Sequence, residues 1–144
     1  MKAYLKPSGR LELDELRQRL QEAEETLDAI RSGVRAINGI DAMLRRVVET
    51  AYQPCLGVSS IYEFGASRPD LTEINALLAR SLRAIIAGRV RDAQREGDVA
   101  AGLDPDAIAG FLIANIAGIR VAGRGGADRA TLKSLADMAL RALR

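Results

Sequence analysis

LDPDAIAGFLIANIAGIRVAGRGGADRATLKSLADMALRAL, residues 103–143, is the stretch that decides the fold. Asp104 is a good N-cap, and Pro105 suits the first helical position, where the missing N–H costs nothing. The run to Ala122 carries small residues four apart at Gly110, Ala114, Gly118 and Ala122, beside Ile108, Phe111, Leu112, Ile116 and Ile119. Gly123 to Gly126 read as a turn. Asp128 then caps a helix whose apolar positions are Leu132, Leu135, Ala136, Ala139, Leu140 and Leu143, all on one face. A row of small residues lets another helix approach closely, and a last helix this apolar needs a partner surface. The pair therefore reads as a helical hairpin meeting a second copy of itself in a four-helix interface. The expected contact residues are Gly110, Phe111, Ala114, Gly118 and Ala122 on the first helix, and the six apolar positions of the second.

Working outward, the 144 residues suffice for one domain with a real core, and 48% of them are apolar. Aromatics are only 3%, and alanine, leucine and arginine favour helix over strand. Apolar spacing and breakers predict an all-α chain: an arm over 1–10 and a helical domain over 11–144. Six helices are expected, at 11–32, 34 or 41 to 52, 55–64, 70–96, 104–123 and 128–143. The first carries Leu13, Leu16, Leu20, Ala23, Leu27 and Ile30 in a heptad-like seam, suited to a core stripe or to a short coiled coil. Asp70 with Glu73 resembles a capping pair for the longest helix, and Gly97 its C-cap.

Several function classes drop out. There is no histidine, which excludes Ser–His and Cys–His catalysis and His-ligated zinc. No cofactor or metal is expected, and no enzymatic activity. The single cysteine, Cys55, excludes an intramolecular disulfide and suits a cytoplasmic protein; it reads as a packing residue rather than a sensor. Asp104 and Asp106 are explained by capping, and Arg80, Arg83, Arg91 and Arg95 by a solvated face. No stretch approaches eighteen apolar residues without charge, so no membrane span is expected. Residues 11–30 hold seven acidic and two basic side chains, a net of −5, which disfavours contact with phosphates.

The order of the elements from residue 55 onward resembles the C-terminal domain of tetracycline-repressor (TetR) family transcription regulators. The matching text is Cys55-Leu56-Gly57-Val58 with Glu63, then Ala93-Gln94-Arg95-Glu96-Gly97-Asp98. It continues through Leu103-Asp104-Pro105-Asp106-Ala107 and Gly118-Ile119-Arg120-Val121, and closes with Gly126-Ala127-Asp128-Arg129-Ala130-Thr131-Leu132. In that family such helices form the ligand-binding and dimerisation domain, while a separate N-terminal helix-turn-helix binds DNA. No helix-turn-helix sequence is found here, so operator binding is expected only through a head not present in these residues. Residues 14–33 also resemble the coiled-coil linkers that precede sensory domains in bacterial signalling proteins.

Met43, Val47, Tyr52, Val58, Tyr62 and Phe64 come from short segments expected to converge on the long helix through Asn75, Leu78, Leu82 and Ile85. The same residues suit an apolar ligand cleft and a filled core. The resemblance implies the cleft, with a small apolar ligand and a homodimer. The alternative is a purely structural dimerisation module organised by the coiled-coil helix, with no ligand.

Overall fold

The computed structural model describes residues 13–55, 67 and 69–144. Five helices lie there: α1 (Leu13–Arg31), α2 (Ala36–Thr50), α3 (Pro69–Arg95), α4 (Pro105–Arg124) and α5 (Arg129–Arg141). There is no strand among the described residues. The expected arm at 1–10, and all of the expected helix at 55–64 but Cys55, lie outside them.

The core forms around α2, which touches each of the other four helices. Its buried side presents Ile40, Met43, Leu44, Val47 and Val48. Against these pack Ile86 and Val90 of α3, Leu112 and Ile119 of α4, and Leu132, Ala136 and Ala139 of α5. Each large side chain so buried contributes about 1.5–3 kcal/mol relative to exposure.

Asn38-Gly39, a weak point by helix propensity, lies inside α2. The reason is a close crossing. A Cβ at residue 39 would stand 2.0 Å from the carbonyl oxygen of Ile30 and 2.9 Å from that of Ser32. Only glycine lets α2 lie across the end of α1. The Ile30 carbonyl is one of the acceptors a helix leaves unpaired at its C-terminus, and Arg89 Nε of α3 donates to it at 3.1 Å. Three helices are thus tied at one point, with the Ile30 side chain fully buried beneath.

The start of α2 is capped from far along the chain. Arg35, at the N-cap, makes no capping bond with its own side chain. Instead the Glu96 carboxylate accepts from the Ala36 N–H at 3.0 Å. Arg35 in turn donates to Asp98 at 2.7 Å and to the Glu96 carbonyl at 2.8 Å. The segment Glu96-Gly97-Asp98 is held ready for this by a Schellman end to α3, in which Asp98 N–H bonds to Ala93 O and Gly97 N–H to Gln94 O. Gly97 takes the required left-handed backbone, φ +83°.

The last two helices form as expected. Asp104 accepts from Asp106 N–H at 3.2 Å and Asp128 from Thr131 N–H at 2.8 Å. The Thr131 hydrogen bond holds the Asp128 carboxyl below its ordinary range. The turn between them is shorter than expected. Gly123 belongs to α4, which ends at Arg124. A Cβ on Gly123 would stand 2.7 Å from the Ala51 methyl, so this glycine serves close packing on the end of α2 rather than the turn. Gly126, at φ +96°, makes the reversal.

Two glycine substitutions are expected to act in opposite directions. Gly39→Ala should lower the free energy of unfolding by about 1–3 kcal/mol through overpacking. Gly88→Ala, where a Cβ meets nothing within 4 Å inside α3, should raise it by up to about 1 kcal/mol through helix propensity. Urea unfolding followed by circular dichroism checks both.

Candidate functional site

Among its described side chains, α1 enters the core at its C-terminal end. Leu20 is 48% exposed, Ala23 and Leu27 are half-buried, and Ile30 is fully buried. The seam is thus a stripe that leaves the core turn by turn. Between it, α3 and α4 a cavity of about 240 Å³ remains. Ala23 and Leu27 of α1 form one wall, Leu78, Leu82 and Ile85 of α3 another, and Ile113 and Ile116 of α4 a third. Ala23 and Ala117 are among the small side chains on its lining.

Polar groups gather where α1 passes Cys55 and α4. Arg19, Glu22, Thr26, Cys55 and Arg120 line the cavity there. Glu22, Thr26, Cys55 and Arg120 also line a polar depression of about 210 Å³ between α1 and α2, so the two spaces share a wall. On its far side Arg46 is ion-paired with Glu25. Arg19 approaches Glu22 at 3.7 Å, beyond hydrogen-bond reach. Its Nε is buried and has no hydrogen-bond partner among the described residues. Arg120 reaches Thr50 through Nη1 alone, with long bonds of 3.3 Å and 3.4 Å. No cluster of three potential metal ligands occurs among the described residues.

Of the residues expected at a ligand site, the structure brings together Asn75, Leu78, Leu82 and Ile85 on the cavity wall. Met43 and Val47 lie in the packed core and do not line it. Tyr52 is 45% exposed; its hydroxyl donates to Ala127 O at 3.0 Å, and Arg124 donates to its carbonyl at 3.0 Å, clamping the end of α2 to the α4–α5 turn. Val58, Tyr62 and Phe64 lie outside the described residues. Sequence reasoning missed the contributions of α1 and α4. The available signals were the two arginines, Arg19 and Arg120, set among apolar positions.

A second feature is an apolar face turned outward. Phe111 (41% exposed), Ala114, Gly118 and Val121 lie along one side of α4, and Leu135 and Met138 (59%) along α5. A Cβ on Gly118 would meet nothing within 4 Å in this chain. The row of small residues is therefore split: Gly110 rests against Arg83, and Ala122 packs on the core. Leu132, Ala136, Ala139 and Leu143 are used inside the chain; Leu140 packs partly buried against the same core. Val121 and Met138 belong to the exposed face and were not foreseen. By length and composition alone α4 is long and apolar enough to cross a membrane, although it carries Asp106, Arg120 and Arg124, and 28% of that stretch is buried. Its other side is an ordinary bundle face, with Ile108, Ala109, Leu112 and Ile119 in the core. The arginines of α3 bind its start: Arg83 donates to Asp106 O at 3.2 Å and Arg91 lies 3.8 Å from the Asp106 carboxylate.

The model of a tetracyclin repressor-like C-terminal domain matches residues 33–138. A domain of unknown function, DUF8755, matches residues 12–34. No helix-turn-helix family is found. No curated protein matches. Among solved structures, a TetR transcriptional regulator from Chloroflexus aurantiacus J-10-FL superposes with a TM-score of 0.77 at 18% identity, over 90% of this chain and 68% of that one. A protein of Rhodococcus sp. RHA1 assigned as a TetR transcriptional regulator gives 0.67 at 21% identity, over 88% and 68%.

Proposed function

The chain belongs to the tetracyclin repressor-like C-terminal domain family, a non-enzymatic family, and we propose that it is the effector-sensing and dimerisation part of a cytoplasmic transcriptional regulator. The observation that carries the sensing role is the cavity between α1, α3 and α4. It takes a wall from α1, of whose described side chains Ile30 alone is fully buried. A small, largely apolar molecule filling it contacts α1 and the bundle at once, so it favours one position of α1 over another. A DNA-binding head attached before α1 would follow that shift, and two heads in a dimer would change spacing.

The dimer role is supported by the outward face of α4 and α5. Exposed apolar side chains gathered on two adjacent helices, with Phe111, Val121, Leu135 and Met138 among them, suit an interaction site. The small side chains at Ala114 and Gly118 permit a close helix crossing there. A copy related by twofold symmetry would apply the same face to itself and make a four-helix interface.

Two outcomes are expected. Gly118→Leu should leave the protomer folded, since the site is open, and clash at two symmetric places in the dimer. At about 1–3 kcal/mol each, the dimer dissociation constant should rise by at least tenfold, measured by sedimentation. A parent chain that sediments as a monomer refutes the dimer.

In a panel of small hydrophobic compounds, some should raise the melting temperature by binding the native state. Leu82→Phe should abolish that rise by filling the cavity, while leaving the dimer intact. A panel in which no compound raises the melting temperature would return the chain to a purely structural dimerisation module.

A further inference from the structure

We propose that the effector is an amphipathic monoanion, with a short aliphatic chain in the cavity and an anionic head against Arg19 and Arg120. The inference rests on the effector-site reading above and names the chemistry of the ligand.

The argument starts from charge. The described lining holds two guanidinium groups, Arg19 and Arg120, and one carboxylate, Glu22. The neighbouring Arg46 and Glu25 pair with each other and add nothing. The described residues thus leave one net positive charge in a lining that is otherwise uncharged and mostly aliphatic, with Thr26, Cys55, Asn75 and Ser81 as its neutral polar members. A cation beside apolar surface, partly withdrawn from water, is costly unless an anion meets it. Glu22 forms a loose ion pair with Arg19, at 3.7 Å and without a hydrogen bond between them, and Arg120 has no carboxylate of its own among the described lining residues.

Hydrogen bonding points the same way. The buried Nε of Arg19 has no acceptor among the described residues. Arg120 engages Thr50 through one nitrogen only, at 3.3 Å and 3.4 Å. Guanidinium donors in this condition suit a carboxylate, which accepts from the planar fork through two oxygens. A neutral effector would leave the Arg19 donor unpaired.

Size limits the tail. At roughly 30 Å³ per water-sized group, the cavity holds about eight such groups. An eight-carbon chain therefore fits between Leu78, Leu82, Ile113 and Ile116.

The test uses the full chain with octanoate, 1-octanol and octyltrimethylammonium, each followed by calorimetry and thermal melting, with acetate as a control for the head alone. Octanoate should bind at least about tenfold more tightly than 1-octanol, octyltrimethylammonium more weakly than either, and acetate undetectably. Arg19→Gln and Arg120→Gln, each checked for helicity, should weaken octanoate by at least about tenfold, to the level of 1-octanol, and weaken 1-octanol far less. Equal binding of octanoate and 1-octanol overturns the anionic head while the apolar site stands. A preference for octanoate that survives both substitutions also overturns it. Binding of none of the three eight-carbon probes removes the effector site itself, and this inference with it.

Discussion

At Gly39 the backbone of α2 passes so close to the last turn of α1 that no side chain fits between them, and the Ile30 carbonyl at that crossing is taken up by Arg89 of α3. The positions of three helices follow from this contact. It fixes where α1 ends and at what depth Ile30 enters the core. It also sets the direction in which the rest of α1 departs. Earlier along α1 the helix packs on α2, with Glu25 paired to Arg46, and a cavity remains between it, α3 and α4.

The other end of α2 is fixed by equally close packing. Gly123 of α4 lies against Ala51, and Tyr52 bonds to the α4–α5 turn. Glu96 and Asp98 hold the start of α2 from the far end of α3. The central helix is thus secured at both termini by groups from other helices, so its sequence needs no strong cap of its own. The consequence is a rigid frame of α2 to α5, with α1 lying against it along one partly exposed stripe. Polar residues gather on that boundary: Arg19 and Glu22 on α1 face Arg120 on α4.

α4 is asked to serve two surfaces. One side supplies Ile108, Leu112 and Ile119 to the core, while the other presents Phe111, Ala114, Gly118 and Val121 to the outside. A helix with two apolar sides is apolar nearly all round, which is why its composition alone is enough to suggest a membrane span. The division of labour on α5 is similar, with Leu132, Ala136 and Ala139 inward and Leu135 and Met138 outward.

The sequence by itself determined the elements. Asp104 with Pro105, Asp128, and the glycines at 97 and 126 mark helix ends through local geometry, and local geometry depends on neighbours in the chain. The family was legible for the same reason, in the order of those punctuated helices. The tertiary structure decided what each side chain faces. Gly39 read as a weakness because propensity counts only a helix's own backbone, and its value lies in a carbonyl nine residues away in the chain. Leu132 and Leu135 look alike in the periodic pattern, yet one is core and the other is surface. A 3.6-residue period names an apolar side without saying where it stops. The candidate site was half legible: Leu78, Leu82 and Ile85 were chosen for facing a convergence, and they do. Met43 and Val47 were chosen on the same ground and lie in the filled core. Whether converging apolar residues touch or leave a gap depends on how far apart their helices are held, and that distance is set at Ile30 and Gly39, away from the site.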